Sequence, residues 1–215
     1  MVEAEKNNIC FSEDEKEILQ EVMNISFGKV AAELAEIINV MVVLSVPKVT
    51  ILPGSEFSDY ISRKLHLSPP YNIIQQSFSG KLNGLAFLVF PGASGKKLAV
   101  MFEKGEASNF DNNNKMTRLE KETLIEIGNI LTGACVGKLV THLKESAYFT
   151  LPRLIMASSY WEMPPNLIDP ESVVILVKTE FGFETNDVKG YLFIITNQDS
   201  FSWLKHALND YLKQF

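Results

Sequence analysis

Glu126 and Asn129 set a carboxylate and a carboxamide three residues apart, and Glu21 and Asn24 do the same 105 positions earlier. On a helix, residues three apart point the same way, about one turn from each other. The carboxylate can pair with a cation. The carboxamide both donates and accepts hydrogen bonds and carries no charge. Twenty-two residues separate Asn24 from Pro47, and twenty-two separate Asn129 from Pro152. A lone Glu-x-x-Asn is ordinary solvated helix surface. Its return at one fixed offset, together with a distant proline, needs a reason.

Packing does not supply one. Ile18, Val22 and Ile25 fall within a narrow arc at about 100° per residue, while Glu17, Glu21 and Asn24 occupy a different arc. In the second copy Leu124, Ile127, Ile130 and Leu131 give the apolar stripe, and Glu122, Glu126 and Asn129 lie together away from it. Asn is a poor residue inside a helix because its side chain competes for backbone hydrogen bonds. Pro47 and Pro152 read differently, as residues fixing the chain where it leaves a strand. Gly28 and Gly133 read as points of close helix approach, since Gly inside a helix costs about 0.5–1 kcal/mol relative to Ala.

The elements that must carry these residues follow in order. Ser12 and Glu15 form a capping box that opens a helix running to about Ile38. Val40–Val49 reads as one buried strand. Residues 53–72 read as a loop holding a short helix over Ser58–Leu65. Ile73–Phe78 and Leu85–Phe90 make a hairpin around Gly80–Gly84, and Gly92–Glu103 a short helix. Residues 104–116 are polar and read as a connection.

Thr117 and Glu120 then repeat the capping box, 105 residues after Ser12 and Glu15. The segments 17–49 and 122–154 share Leu19/Leu124, Ile25/Ile130, Gly28/Gly133 and Leu34/Leu139 besides the motif residues. Val173–Phe181 and Tyr191–Thr196, turning around Asn186–Gly190, repeat the hairpin. Gly84/Gly190 and Ser94/Ser200 correspond at an offset of 106, each serine opening a terminal helix. The chain is therefore read as a duplicated α+β unit, a single domain over 1–215 built of repeats 12–103 and 117–215.

Composition bounds the function. Apolar residues make up 46% and charged residues 21% of 215, the balance of a globular protein. A net charge of −6 argues against a general nucleic-acid binder. No apolar run approaches the roughly 20 residues that cross a bilayer, and residues 1–10 hold no secretion signal. Cys10 and Cys135, two and far apart, fit a reducing compartment, so a cytoplasmic location without membrane insertion is expected.

The pattern of an acid, three residues, Glu, two residues, Asn, twenty-two residues and Pro resembles the signature of the CheC/CheX/FliY family of chemotaxis phosphatases, with CheC-type members the nearest. The segment from Glu126 to Gly133 is similar to the family's motif helix. The resemblance implies an α+β fold with an antiparallel sheet and two long motif helices displayed on one side. It implies removal of the phosphoryl group from a phosphorylated CheY-like response regulator, with Glu21 and Glu126 pairing with a lysine of that partner. The family prefers Asp or Ser where Glu17 and Glu122 stand, and Met23 replaces the usual Gly before Asn24. The second motif is thus the closer match.

An aspartyl phosphate already sits with its own metal ion, so Mg2+ is expected in the partner and no cofactor or metal on this chain. What remains to be supplied is a water in line with the bond to be broken, and a positioned carboxamide can hold it. Asn129 and Asn24 are assigned that task; an Asp there would repel the phosphate.

Other chemistries find no footing. His66, His142 and His206 are scattered, without zinc spacing. Gly92-Ala93-Ser94-Gly95-Lys96-Lys97 lacks the spacing of a phosphate loop and reads as a turn and helix start. His142 reads as a surface or capping residue, Cys135 as core, Trp161 and Trp203 as packing anchors. The runner-up function is a non-catalytic module on the same fold, a partner of the deamidase CheD or a relative of the flagellar switch proteins.

Overall fold

Both long helices begin where local chemistry says they should. In the computed structural model, which describes residues 11–38, 41–64, 70–104, 115–157, 173–183, 188–196 and 198–213, each start is a closed capping box. The Ser12 amide donates to Glu15 Oε2 at 2.8 Å and the Glu15 amide to Ser12 Oγ at 3.1 Å. Thr117 and Glu120 repeat this at 2.6 and 3.1 Å. Each box satisfies two backbone donors that the first helical turn leaves without partners.

The order is α1 (Glu13–Ile38), β1 (Val42–Leu44), β2 (Lys48–Pro53), α2 (Gly54–Lys64), β3 (Tyr71–Gly80), β4 (Gly84–Pro91), α3 (Ser94–Lys104), α4 (Arg118–His142), β5 (Ala147–Phe149), β6 (Arg153–Ala157), β7 (Val173–Phe183), β8 (Val188–Thr196) and α5 (Gln198–Leu212). The described strands form one antiparallel sheet whose centre runs β7-β8-β4-β3. At its middle Phe87 pairs with Phe193, 106 positions later, the offset that also relates Gly84 to Gly190. A pseudo-two-fold axis passes there. On either side the pairing is reciprocal: β1 and β2 line the outer edge of β7, and β5 and β6 line the outer edge of β3. Each repeat completes the sheet edge of the other.

Strand alternation divides the core in two. Ile74, Phe78, Leu88, Val177, Leu192 and Ile194 face the long helices, together with Val22, Phe27, Leu124 and Leu131. Ile73, Phe87, Leu176, Phe193 and Ile195 face the other way, where Phe57 of α2 covers them. Each fully buried Leu, Ile or Phe stabilises by about 1.5–3 kcal/mol.

Several sequence expectations change. Val40–Val49 is not one buried strand. The chain breaks between β1 and β2, where Pro47 has no N–H for a ladder and Val43 and Val46 are exposed. Pro47 and Pro152 thus lie between two short strands rather than after one. The short helix starts earlier than Ser58, at Gly54. Ser200 sits within the first turn of α5, its Oγ accepting from the Asn83 amide at 2.8 Å. A Cβ on Gly28 or Gly133 would meet nothing within 4 Å, so neither glycine marks a close approach. α4 is long and apolar enough by composition to cross a membrane, with a mean hydropathy of 1.3, because its Ile, Leu, Val, Ala and Cys residues outweigh the few charged ones scattered among them. In this fold it packs on α1, α3 and β3. His66, Trp161 and most of the 104–116 connection lie outside the described residues.

Candidate functional site

α4 is anchored by Leu124, Ile127, Leu131 and Leu139, all buried, and this fixes which side stays open. Glu126 and Asn129 lie on that open side, both exposed. On α1 the buried residues are Leu19, Val22, Met23, Ser26 and Phe27, and Glu21 and Asn24 are both exposed. Among the described residues no cation pairs with Glu21 or Glu126; the nearby Glu122 is taken by Arg118 at 2.8 Å. That hydrogen bond, with the charge of Glu122, raises the guanidinium pKa.

The two sites differ in what lies beneath them. Gly128 is buried, and a Cβ there would stand 2.7 Å from Cγ2 of Ile74, so α4 rests directly on β3. Asn129 is thereby brought to Gln76, whose Nε2 donates to Asn129 Oδ1 at 2.8 Å and to the Thr150 carbonyl at 2.9 Å. Gln76 itself is 1% exposed. In α1 the residue matching Gly128 is Met23, fully buried, and α1 packs on β1 and β2 instead. No described residue hydrogen-bonds the Asn24 side chain.

The connection carrying each proline is pinned to the sheet in the same way. The Thr150 amide donates to Ser77 O at 3.0 Å and the Ser77 amide to Thr150 Oγ1 at 3.2 Å. At the first site the Ser45 amide donates to Glu180 O at 2.8 Å and the Glu180 amide to Ser45 Oγ at 2.9 Å. The next residues are exposed and apolar: Leu151 is 89% and Val46 65% exposed, with Tyr148 and Val43 on the preceding strands also exposed.

His142 ends α4 and bonds a carbonyl of its last turn, in keeping with a capping role, but it does not stand free on the surface. It is half-buried between α1 and α4, its Nδ1 3.0 Å from the Lys138 carbonyl and 2.9 Å from Ser26 Oγ. A carbonyl only accepts, so Nδ1 carries the proton. Cys135 is core, as expected, and burial pushes its thiol up to about 12. Trp203 is half-buried against the helix-side core. Among the described residues no group of three His, Cys, Asp or Glu side chains is placed to hold a metal.

Sequence reasoning expected the four motif residues on open helix faces, where they are exposed, but did not single out Gln76 or Leu151 beside them. Gln76 had a signal, since it is polar at a position whose neighbours two away, Ile74 and Phe78, face the core. Leu151 and Val46 had one too, each directly preceding the motif proline.

Residues 15–51 match the CheC-like family. The chain is 23% identical over 201 residues to the CheY-P phosphatase CheC of Bacillus subtilis (strain 168), spanning 91% of this chain and 94% of that protein. The chain is thus similar to the CheC-like family and to its phosphatase relatives. The CheC-like stretch holds Glu21, Asn24 and Pro47, whereas the pattern alone placed the closer likeness at the second motif. The flagellar motor switch phosphatase FliY of the same organism is 23% identical over 177 residues, 82% of this chain but only 44% of that protein. The fold recurs in the structure of Thermotoga maritima FliY, with a TM-score of 0.70, 18% identity, and 94% and 98% of the two chains covered. It recurs also in a structure of the FliM–SpeE complex of H. pylori, with a TM-score of 0.66, 11% identity, and 94% and 97% covered.

Proposed function

We propose that this CheC-like chain hydrolyses the aspartyl phosphate of a CheY-like response regulator. The observation that carries the reading is the exposed Glu and Asn, side by side on each of two helices, with no described cation pairing with either Glu. In this reading Glu126 and Glu21 pair with a lysine of the docked regulator, and the exposed Leu151 and Val46 bury apolar surface against it. Asn129 and Asn24 then orient a water in line with the phosphorus. The water oxygen forms a new bond to phosphorus, the bond to the aspartyl oxygen breaks, and inorganic phosphate and a free carboxylate result. The regulator's own Mg2+ supplies charge neutralisation at the phosphoryl oxygens. Placement and charge account for most of such catalysis, so a neutral carboxamide suffices.

A second reading is favoured by the FliM likeness of the fold: a scaffold that docks CheD or a switch component without chemistry. Loss of phosphate from an acetyl-phosphate-labelled regulator separates the two. The phosphatase reading expects the chain to accelerate it in catalytic amounts, and Glu126→Ala to raise KM. A chain that binds the regulator without accelerating the loss supports the scaffold.

A further inference from the structure

We infer that Gln76 is a positioning residue for Asn129, holding its carboxamide in one of two possible orientations; this rests on the phosphatase reading above. A backbone carbonyl accepts and never donates, so the Gln76 atom 2.9 Å from Thr150 O is its NH2 group. The same nitrogen lies 2.8 Å from the Asn129 side chain, which must therefore present its oxygen. With Oδ1 turned to Gln76, the NH2 of Asn129 is the group offered to a docked partner. That orientation suits an anionic phosphoryl group and the water beside it. The reversed amide would turn a carbonyl oxygen towards the phosphoryl oxygens.

The first site shows that this second hydrogen bond is separate from the fold. Phe78 lies over Gly84 as Phe181 lies over Gly190, which matches β3 to β7 and puts Thr179 at the place of Gln76. Thr179 Oγ1 donates to the Ser45 carbonyl at 2.7 Å, the counterpart of the Gln76 bond to Thr150. Its other contact is again to Ser45, at Oγ 3.4 Å away, and it makes none with Asn24. Anchoring the proline-bearing connection therefore needs only a threonine. The glutamine adds the reach to Asn129, although its Oε1 is buried without a hydrogen-bond partner among the described residues.

The substitution Gln76→Thr copies the first site's own solution, keeping the anchor and releasing Asn129. In an Asn24→Ala chain, whose activity comes from the second site, it should lower kcat by roughly 10- to 100-fold with KM unchanged, the range that misplacement of a reacting group produces. In an Asn129→Ala chain it should cause no further loss, since the two act as a unit. An unchanged kcat in the first chain, or an equal loss in both, overturns the inference. If the wild-type chain shows no phosphatase activity, the functional reading fails instead, and the hydrogen bond is judged by 15N NMR of the side-chain amides. Slow exchange of the Gln76 NH2, with the Asn129 NH2 signal moving in Gln76→Thr, supports it; free exchange of the Gln76 NH2 overturns it.

Discussion

Gly128 lies against Ile74 so closely that a single methyl group would stand 2.7 Å from Cγ2 of the isoleucine. This contact sets the height of α4 above β3, and with it the distance from Asn129 to Gln76. Gly128→Ala should destabilise the chain by about 1–3 kcal/mol through overpacking, read as a shift in the denaturant midpoint. It should also weaken the second site more than the first. An unshifted midpoint would mean that α4 can rise without consequence.

The reciprocal strand pairing gives a second expectation. β2 belongs to the first repeat by sequence, yet all six of its residues pair with β7 of the second. Fragments 1–104 and 115–215 should therefore each fail to fold alone, leaving long unpaired sheet edges. The full chain should unfold in one cooperative transition, seen as coincident circular-dichroism and fluorescence curves. Two separated transitions would contradict this.

Cys135 offers a pH test. Its thiol rises from 9.0 to about 12 because it is buried. The unfolded chain releases this proton near 9 and the folded chain only near 12. The folded state therefore holds more protons across that window, and stability should fall as pH rises through it. Cys135→Ala should flatten that part of the profile. In a Cys10→Ser background the thiol should resist alkylation at pH 8 until the chain is unfolded.

Leu151 tests the docking surface. It is 89% exposed, and the connection bearing it is pinned by Ser77 and Gln76. Leu151→Ser should raise KM for the phosphorylated regulator while leaving the denaturant midpoint within about 0.5 kcal/mol, as surface changes do. An unchanged KM would remove Leu151 from the interface.

What the sequence made legible was local. Capping boxes are completed within four residues, so both long helices could be started correctly, and their buried arcs left Glu21, Asn24, Glu126 and Asn129 on the open side. Strand pairing between Lys48 and Lys178, or between Arg153 and Gln75, joins residues far apart in the chain, and no local pattern encodes it. The glycines mislead for a related reason. Gly28, Gly133 and Gly128 look alike on a helix, and only the sheet beneath shows that Gly128 alone of the three is crowded. Gln76 needed the same knowledge, because its partner lies on another element 53 positions away.

The most direct test of the whole account is the rate of phosphate loss from a phosphorylated CheY-like regulator, measured with the Asn24→Ala, Asn129→Ala double variant. Its acceleration should vanish while circular dichroism and the denaturant midpoint stay those of the wild type, and of the single variants Asn129→Ala should lose more than Asn24→Ala. Full acceleration by a folded double variant would contradict the account.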